Sequence, residues 1–212
     1  MMVNTLLFDL DGTLIDTNRL IADTFKMVFK DKFPTLTISE EEIFSFIGPT
    51  LNSTFSKFVN TEKEINELVN YYRQINLSLH DQYVTIYDNV YDTLKYLSDN
   101  NYNLGVVTSK KKSVADKGLK LFGIDKFFKV VIGPDDVLNH KPHPEGIYKA
   151  LESFDNVSKV LYVGDNENDI FAAKNANVIS VGVSWSYNLK ALIKSNPDYM
   201  INDFKELIEI IK

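Results

Sequence analysis

Four short stretches of this chain carry residue types whose spacing suits chemistry on phosphorus. Asp9 and Asp11 stand one residue apart where the apolar run Thr5-Leu6-Leu7-Phe8 gives way to Gly12-Thr13. Along a strand, side chains two apart fall on the same face, so the two carboxylates converge. That convergence is costly unless a cation or a shared proton relieves it. Thr108-Ser109 closes a second β-rich run, Lys141 precedes Pro142 in His140-Lys141-Pro142-His143-Pro144, and Gly164-Asp165-Asn166-Glu167-Asn168-Asp169 closes a third run. Phosphoryl transfer needs positioning and charge neutralisation more than elaborate covalent chemistry. A hard cation such as Mg2+ takes oxygen ligands and binds substrate phosphate, which makes Asp9 and Asp165 its natural anionic ligands. Asp9 can then attack phosphorus to give an aspartyl phosphate, while Asp11 passes a proton to the leaving oxygen and takes one from water. Thr108 and Ser109 can donate to a phosphoryl oxygen, and Lys141 can neutralise the charge that builds there.

Each stretch alone has an ordinary reading, as a hairpin turn, a strand cap or a solvated lysine. Their joint order is more specific than any one of them. His80, His140 and His143 read as structural or solvated, and Lys110-Lys111-Lys112 reads as an exposed helix start, with substrate steering as the alternative because the triplet lies beside Thr108.

The elements that must position these residues follow from periodicity. Short β-rich runs at Leu104 to Val107, Val130 to Ile132, Val160 to Val163, Ile179 to Val183 and Tyr199 to Ile201 alternate with helical patterns near 90–97, 113–122, 144–154, 167–175 and 204–211. Strand and helix in alternation predict a Rossmann-like α/β fold, a parallel sheet with helices on both faces. In such sheets ligands sit beyond the carboxyl ends of the strands, where all four stretches fall. Between the first strand and the rest lies a helical block. Apolar residues at Leu20, Ile21, Phe25, Val28 and Phe29 keep helical spacing up to Phe33-Pro34. Ser39 before Glu42 and Thr61 before Glu64 have capping-box spacing, and a long stripe from Ile65 to Leu79 follows. The expected organisation is an α/β core of residues 1–15 and 83–212 with an inserted all-helical domain, 16–82.

The chain has 212 residues, 44% of them apolar, enough for a packed core. A formal charge of −6 without a long basic run argues against nucleic acid or an anionic membrane as partner. The absence of cysteine excludes disulfides, thiolate zinc sites and cysteine nucleophiles. The first residues lack the basic and apolar regions of a signal peptide, and no run reaches membrane-spanning length, so a cytoplasmic protein is expected.

With these residues in view, the chain resembles the haloacid dehalogenase-like superfamily of hydrolases. Asp9-Leu10-Asp11-Gly12-Thr13-Leu14 is similar to its first motif, Thr108-Ser109 to the second, Lys141-Pro142 to the third, and Gly164-Asp165 with Asp169 to the fourth. The resemblance implies Asp9 as nucleophile, Asp11 as acid and base, and Thr108 and Lys141 on the phosphate. It also implies Mg2+ on Asp9, the Asp11 main-chain carbonyl and Asp165, with Asp169 behind them. The inserted helices resemble the small cap of the phosphoglycolate phosphatase-like branch, in which the segment like Ile47-Gly48-Pro49-Thr50-Leu51 reaches substrate. Dehalogenases and phosphonate hydrolases of the superfamily lack the second acid, so Asp11 favours phosphoester chemistry. Thr13 stands where mutases of the β-phosphoglucomutase type often carry Val. The expected activity is hydrolysis of a small phosphorylated metabolite, phosphoglycolate first. Pyrophosphate, nucleoside monophosphates and sugar phosphates are alternatives within the class, and a phosphomutase or a catalytically silent binding or scaffold protein are the alternatives outside it.

Overall fold

A computed structural model describes residues 2–212. The chain divides into two compact units, Met1–Ile15 with Ile86–Lys212, and Asp16–Thr85.

The first unit is a six-stranded parallel sheet. It comprises β1 (Val3–Phe8), β4 (Asn103–Val107), β5 (Val130–Ile132), β6 (Lys159–Gly164), β7 (Ile179–Val183) and β8 (Tyr199–Ile201), in the order β5-β4-β1-β6-β7-β8. The first strand in sequence is thus central, flanked by β4 and β6. Strand order reverses beside it, which in parallel sheets marks the ligand crevice. Alternation divides the apolar side chains between two faces. Leu7, Val107 and Tyr162 pack with Ile147 and Ala150 of α7 (Glu145–Leu151) and with Ala172 and Ala173 of α8 (Glu167–Asn175). The neighbouring Phe8 points the other way, where its ring stacks 5.7 Å from Phe204 and meets Phe128 edge-on at 6.0 Å. The remaining helices of this unit are α5 (Val90–Asp99), α6 (Lys112–Leu121), α9 (Leu189–Lys194) and α10 (Leu207–Ile210).

The second unit holds α1 (Asn18–Lys32), α2 (Glu40–Phe44), α3 (Leu51–Phe55) and α4 (Glu62–Tyr83). Thr61 and Glu64 form the full capping box: the Glu64 amide donates to the Thr61 hydroxyl at 3.3 Å and the Thr61 amide to the Glu64 carboxylate at 3.1 Å. At Ser39 only the forward half forms, with the Glu42 amide donating at 3.1 Å. The interior is aromatic: Phe25 lies 4.6 Å from Tyr72 and 5.2 Å from Phe46, and Phe29 lies 4.8 Å from Phe58, between ring centroids. The chain passes between units through β2 (Ile15–Asp16) and β3 (Thr85–Ile86), which pair as a two-stranded sheet. The second passage lies a few residues beyond position 82 because α4 stays helical to Tyr83.

Several elements differ from the sequence reading. The helix expected over 144–154 stops at Leu151, and that over 204–211 begins as a 3-10 turn at Phe204–Glu206. The helices α3 and α9, of five and six residues, have no counterpart in that reading. No helix among the described residues is long and apolar enough to cross a membrane.

Candidate active site

All four motif stretches leave the sheet at the carboxyl ends of β1, β4, β5 and β6. β1 ends at Phe8, and the ladder continues one step through the Asp9 amide, which donates to the Val163 carbonyl at 2.8 Å. The chain then turns sharply, with the Leu10 carbonyl accepting from the amides of Thr13, Leu14 and Ile15. Gly12 makes that turn possible: its φ is +80°, and a Cβ there would overlap the Asp165 carboxylate. Thr108 continues β4 in the same way, its amide donating to Ile132 at 2.9 Å.

Lys141 is carried by the segment before α7. Glu145 in the first turn of that helix accepts from the amides of Leu138 and Asn139 at 2.8 and 2.9 Å, and Asn175 donates to the Pro142 carbonyl at 3.0 Å. Asp169 sits in the first turn of α8, where its Oδ2 accepts from the Asn166 amide at 3.0 Å. Gly164 leaves room for it, because a Cβ at that glycine would overlap the Asp169 side chain.

These positions bring the charges together. Lys141 Nζ donates to Asp9 Oδ1 at 2.8 Å and to Asp169 Oδ1 at 2.6 Å, and lies 3.2 Å from the Tyr162 hydroxyl. Tyr162, fully buried, donates in turn to the Val107 carbonyl at 2.8 Å. Both Asp169 oxygens are therefore engaged, and this carboxylate acts as an anchor for Lys141. Asp9 and Asp165 are each 5% exposed. Burial pushes the Asp9 carboxyl from its ordinary 3.8 up to about 7, with Lys141 opposing and Asp169 and Asp11 adding to the rise. Asp165 is driven well above the ordinary range by burial and by the carboxylates of Asp169 and Asp9. Its Oδ1 accepts only a long bond of 3.4 Å from the Thr13 hydroxyl, while its main-chain carbonyl accepts from Ser186 at 2.6 Å. Burial alone would lower the Lys141 ammonium, but the Asp169 and Asp9 charges prevail and hold it well above its usual value.

The donor set fits a divalent cation. Asp9, Asp165 and Asp169 each offer an oxygen within 4.8 Å of the others. Four carboxylates, Asp9, Asp11, Asp165 and Asp169, face two ammonium groups, Lys141 and Lys110. With all four acids ionised the deficit is two positive charges, and all the donors are the hard oxygens that Mg2+ or Ca2+ accept.

Other expected residues fall as follows. Ser109 is half-buried and lines a small hollow with Thr108, Gly133, Asn139 and Lys141. Gly48 and Pro49 form the turn between α2 and α3, with Gly48 at φ +107°. His140 and His143 are exposed, and His80 is buried with its Nδ1 2.9 Å from Asp81. The lysine triplet needs correction. Lys111 and Lys112 are exposed at the start of α6, but Lys110 turns inward and grips both oxygens of Asp11 at 2.7 and 2.8 Å. Sequence reasoning misses Tyr162, and it reaches Lys110 only through the alternative of substrate steering that the triplet's place beside Thr108 leaves open.

A profile of the haloacid dehalogenase-like hydrolases matches residues 6–183, which include all four stretches. The chain belongs to this family. It is a phosphatase, and its relatives agree. A protein from Listeria monocytogenes named pyrophosphatase PpaX is 42% identical over 99% of this chain and 97% of its own length. A protein of the same name from Oceanobacillus iheyensis is 42% identical over 100% and 98%. Among solved structures, a predicted phosphoglycolate phosphatase from Haemophilus somnus superposes with a TM-score of 0.85 at 28% identity, covering 100% of this chain and 99% of that one. A haloacid dehalogenase-like family hydrolase from Streptococcus pneumoniae gives 0.84 at 25%, covering 99% of each.

Proposed function

We propose that this phosphatase hydrolyses pyrophosphate with Mg2+ through a phosphorylated Asp9. The observation that carries the chemistry is the buried pair Asp9 and Asp165 beside Lys141: two carboxylates whose charges are poorly compensated by the protein alone. Mg2+ held by those carboxylates and the Asp11 main-chain carbonyl supplies charge neutralisation at the reacting phosphoryl group. An Asp9 oxygen attacks phosphorus, the bond to the bridging oxygen breaks, and its electron pair goes to that oxygen, which takes a proton from Asp11. Water then attacks the aspartyl phosphate, gives its proton to Asp11, and the bond from phosphorus to Asp9 breaks, restoring both carboxyl groups. Thr108 accepts from the Lys110 amide at 3.1 Å, so its own proton is left for a phosphoryl oxygen. Lys141 neutralises both the nucleophile and the phosphate.

The choice of pyrophosphate over phosphoglycolate rests on the full-length relatives at 42% identity named pyrophosphatases, whereas the phosphoglycolate name comes from a structure at 28%. For the helical unit, including its Gly48-Pro49 turn, we propose a role in substrate choice. A panel of pyrophosphate, phosphoglycolate, nucleoside monophosphates and sugar phosphates, read as free phosphate with Mg2+, tests the assignment. Pyrophosphate should give the highest kcat/KM. Sugar phosphate isomers interconverting without phosphate release would make the protein a mutase instead.

A further inference from the structure

Lys110 is a charged group at the site that the chemistry above does not use. Its stem rises from the turn that holds the phosphate-binding hydroxyl, because the Lys110 amide donates to Thr108 Oγ1. Its ammonium is held against both oxygens of Asp11, and the two side chains are 11% and 16% exposed. Lys111 and Lys112, next in sequence, are exposed and take no part in this pair.

We propose that Lys110 binds the negative charge of the leaving group, so that this site prefers substrates whose departing fragment is itself anionic. The inference rests on the preceding reading in one respect, that Asp11 serves the leaving oxygen. An oxygen that hydrogen-bonds to Asp11 lies at most two hydrogen-bond lengths from the Lys110 nitrogen, roughly 5.5 Å. An ammonium has three donors, and two of them suffice for the two Asp11 oxygens, which leaves one for a further acceptor. The four-carbon stem lets the charge follow that acceptor as the bond breaks.

The balance of the first step shows which substrates benefit. When the bridging bond breaks and the leaving oxygen takes the Asp11 proton, pyrophosphate releases phosphate and phosphoglycolate releases glycolate. Each keeps an anionic oxygen apart from the one just protonated. An alkyl phosphate such as 2-hydroxyethyl phosphate, whose leaving oxygen must take the Asp11 proton, releases a neutral alcohol, which keeps none. Lys110 therefore has something to hold in the first two cases and nothing in the third. If Lys110 only braced Asp11, the alkyl phosphate, whose leaving oxygen needs the Asp11 proton most, would depend on Lys110 at least as much as the other two.

The test compares kcat/KM for pyrophosphate with that for 2-hydroxyethyl phosphate in wild type, Lys110→Met and Lys110→Arg at saturating Mg2+. The ratio should fall about 10²-fold in Lys110→Met, the scale of losing one charge-stabilising donor, and largely return in Lys110→Arg. An unchanged or raised ratio, the outcome if Lys110 only braces Asp11, overturns the proposal. A wild type that turns over phosphoglycolate but not pyrophosphate refutes the substrate assignment, and the same ratio is then taken with phosphoglycolate. If neither variant folds, wild type decides. Methylenediphosphonate should inhibit aryl phosphate hydrolysis at a concentration about 10²-fold below that of methylphosphonate, which lacks the second charge. Equal inhibition by the two overturns the proposal.

Discussion

The rim of the six-stranded sheet and the interior of the helical unit are both shielded from water, yet one is crowded with ions and the other with rings. Behind the rim, Asp9, Asp165 and Asp169 share a single neighbourhood with Lys141, and burial raises the first two far from their ordinary range. In the helical unit, Phe25 touches Phe46, Phe55 and Tyr72, and of its buried polar groups some are paired locally while the Thr54 hydroxyl has no partner among the described residues. Asn76 donates to Thr24 at 3.2 Å, and Thr24 donates to the Leu20 carbonyl at 2.6 Å. The rim stores unfavourable electrostatics that a bound cation can discharge. The helical interior has no comparable cluster of buried charge among the described residues and is held by packing. Substitutions in the two regions should therefore have opposite signatures.

The largest effect belongs to Asp165→Asn. Turnover with Mg2+ should drop by at least about 10³-fold, while the melting temperature in chelator should hold or rise, because the native carboxylate is disfavoured by burial. A fall in stability with activity retained would make Asp165 a structural residue. Phe25→Ala should do the reverse. Deleting a fully buried ring costs about 3–5 kcal/mol, read in a denaturant melt. A loss under about 1 kcal/mol would mean the aromatic core is loosely packed.

Tyr162→Phe sharpens the comparison from inside the sheet, since it removes one oxygen and almost no volume. Loss of a hydrogen bond to a charged group is worth about 1.5–3 kcal/mol, so kcat/KM should fall roughly 10- to 100-fold. If the hydroxyl positions Lys141 on the substrate phosphate, that loss appears as a raised KM. A merely structural tyrosine would lower the melting temperature and leave KM unchanged. Thr61→Ala gives the smallest effect, about 1 kcal/mol of stability from the lost cap, with kcat unaltered.

The parallel strands were legible in the sequence because buried strands are written as continuous β-branched and aliphatic runs. Ile179 to Val183 and Tyr199 to Ile201 fall where those runs stand. The Thr61 helix start was legible because capping is local chemistry. The short helices α3 and α9 were not, since five or six residues carry too little periodicity to distinguish from a turn. At the site, Asp9, Thr108, Lys141 and Asp165 could be named because each closes or follows a strand. Lys110 could not be separated from Lys111 and Lys112 by composition, because its partner lies 99 residues away and the turn after β4 selects which lysine faces inward. Its one signal was its place two residues after Thr108. Tyr162 reads as an ordinary strand former, although a tyrosine within a buried run has a hydroxyl that must find a partner. That requirement was the usable clue.

The most direct test of the account is intact-protein mass and rapid-quench phosphate release on Asp9→Asn and Asp11→Asn, with pyrophosphate and with an aryl phosphate. Asp9→Asn should form no phosphoenzyme and show no turnover with either substrate. Asp11→Asn should slow by about 10²–10⁴-fold on pyrophosphate, the scale of general acid–base catalysis. With the aryl phosphate, whose leaving group needs little protonation, it should recover the first step and accumulate a phosphoenzyme, because hydrolysis of that intermediate still lacks its base. A phosphoenzyme on Asp9→Asn, or equal rescue of both variants by the aryl substrate, would contradict the roles assigned to the two acids.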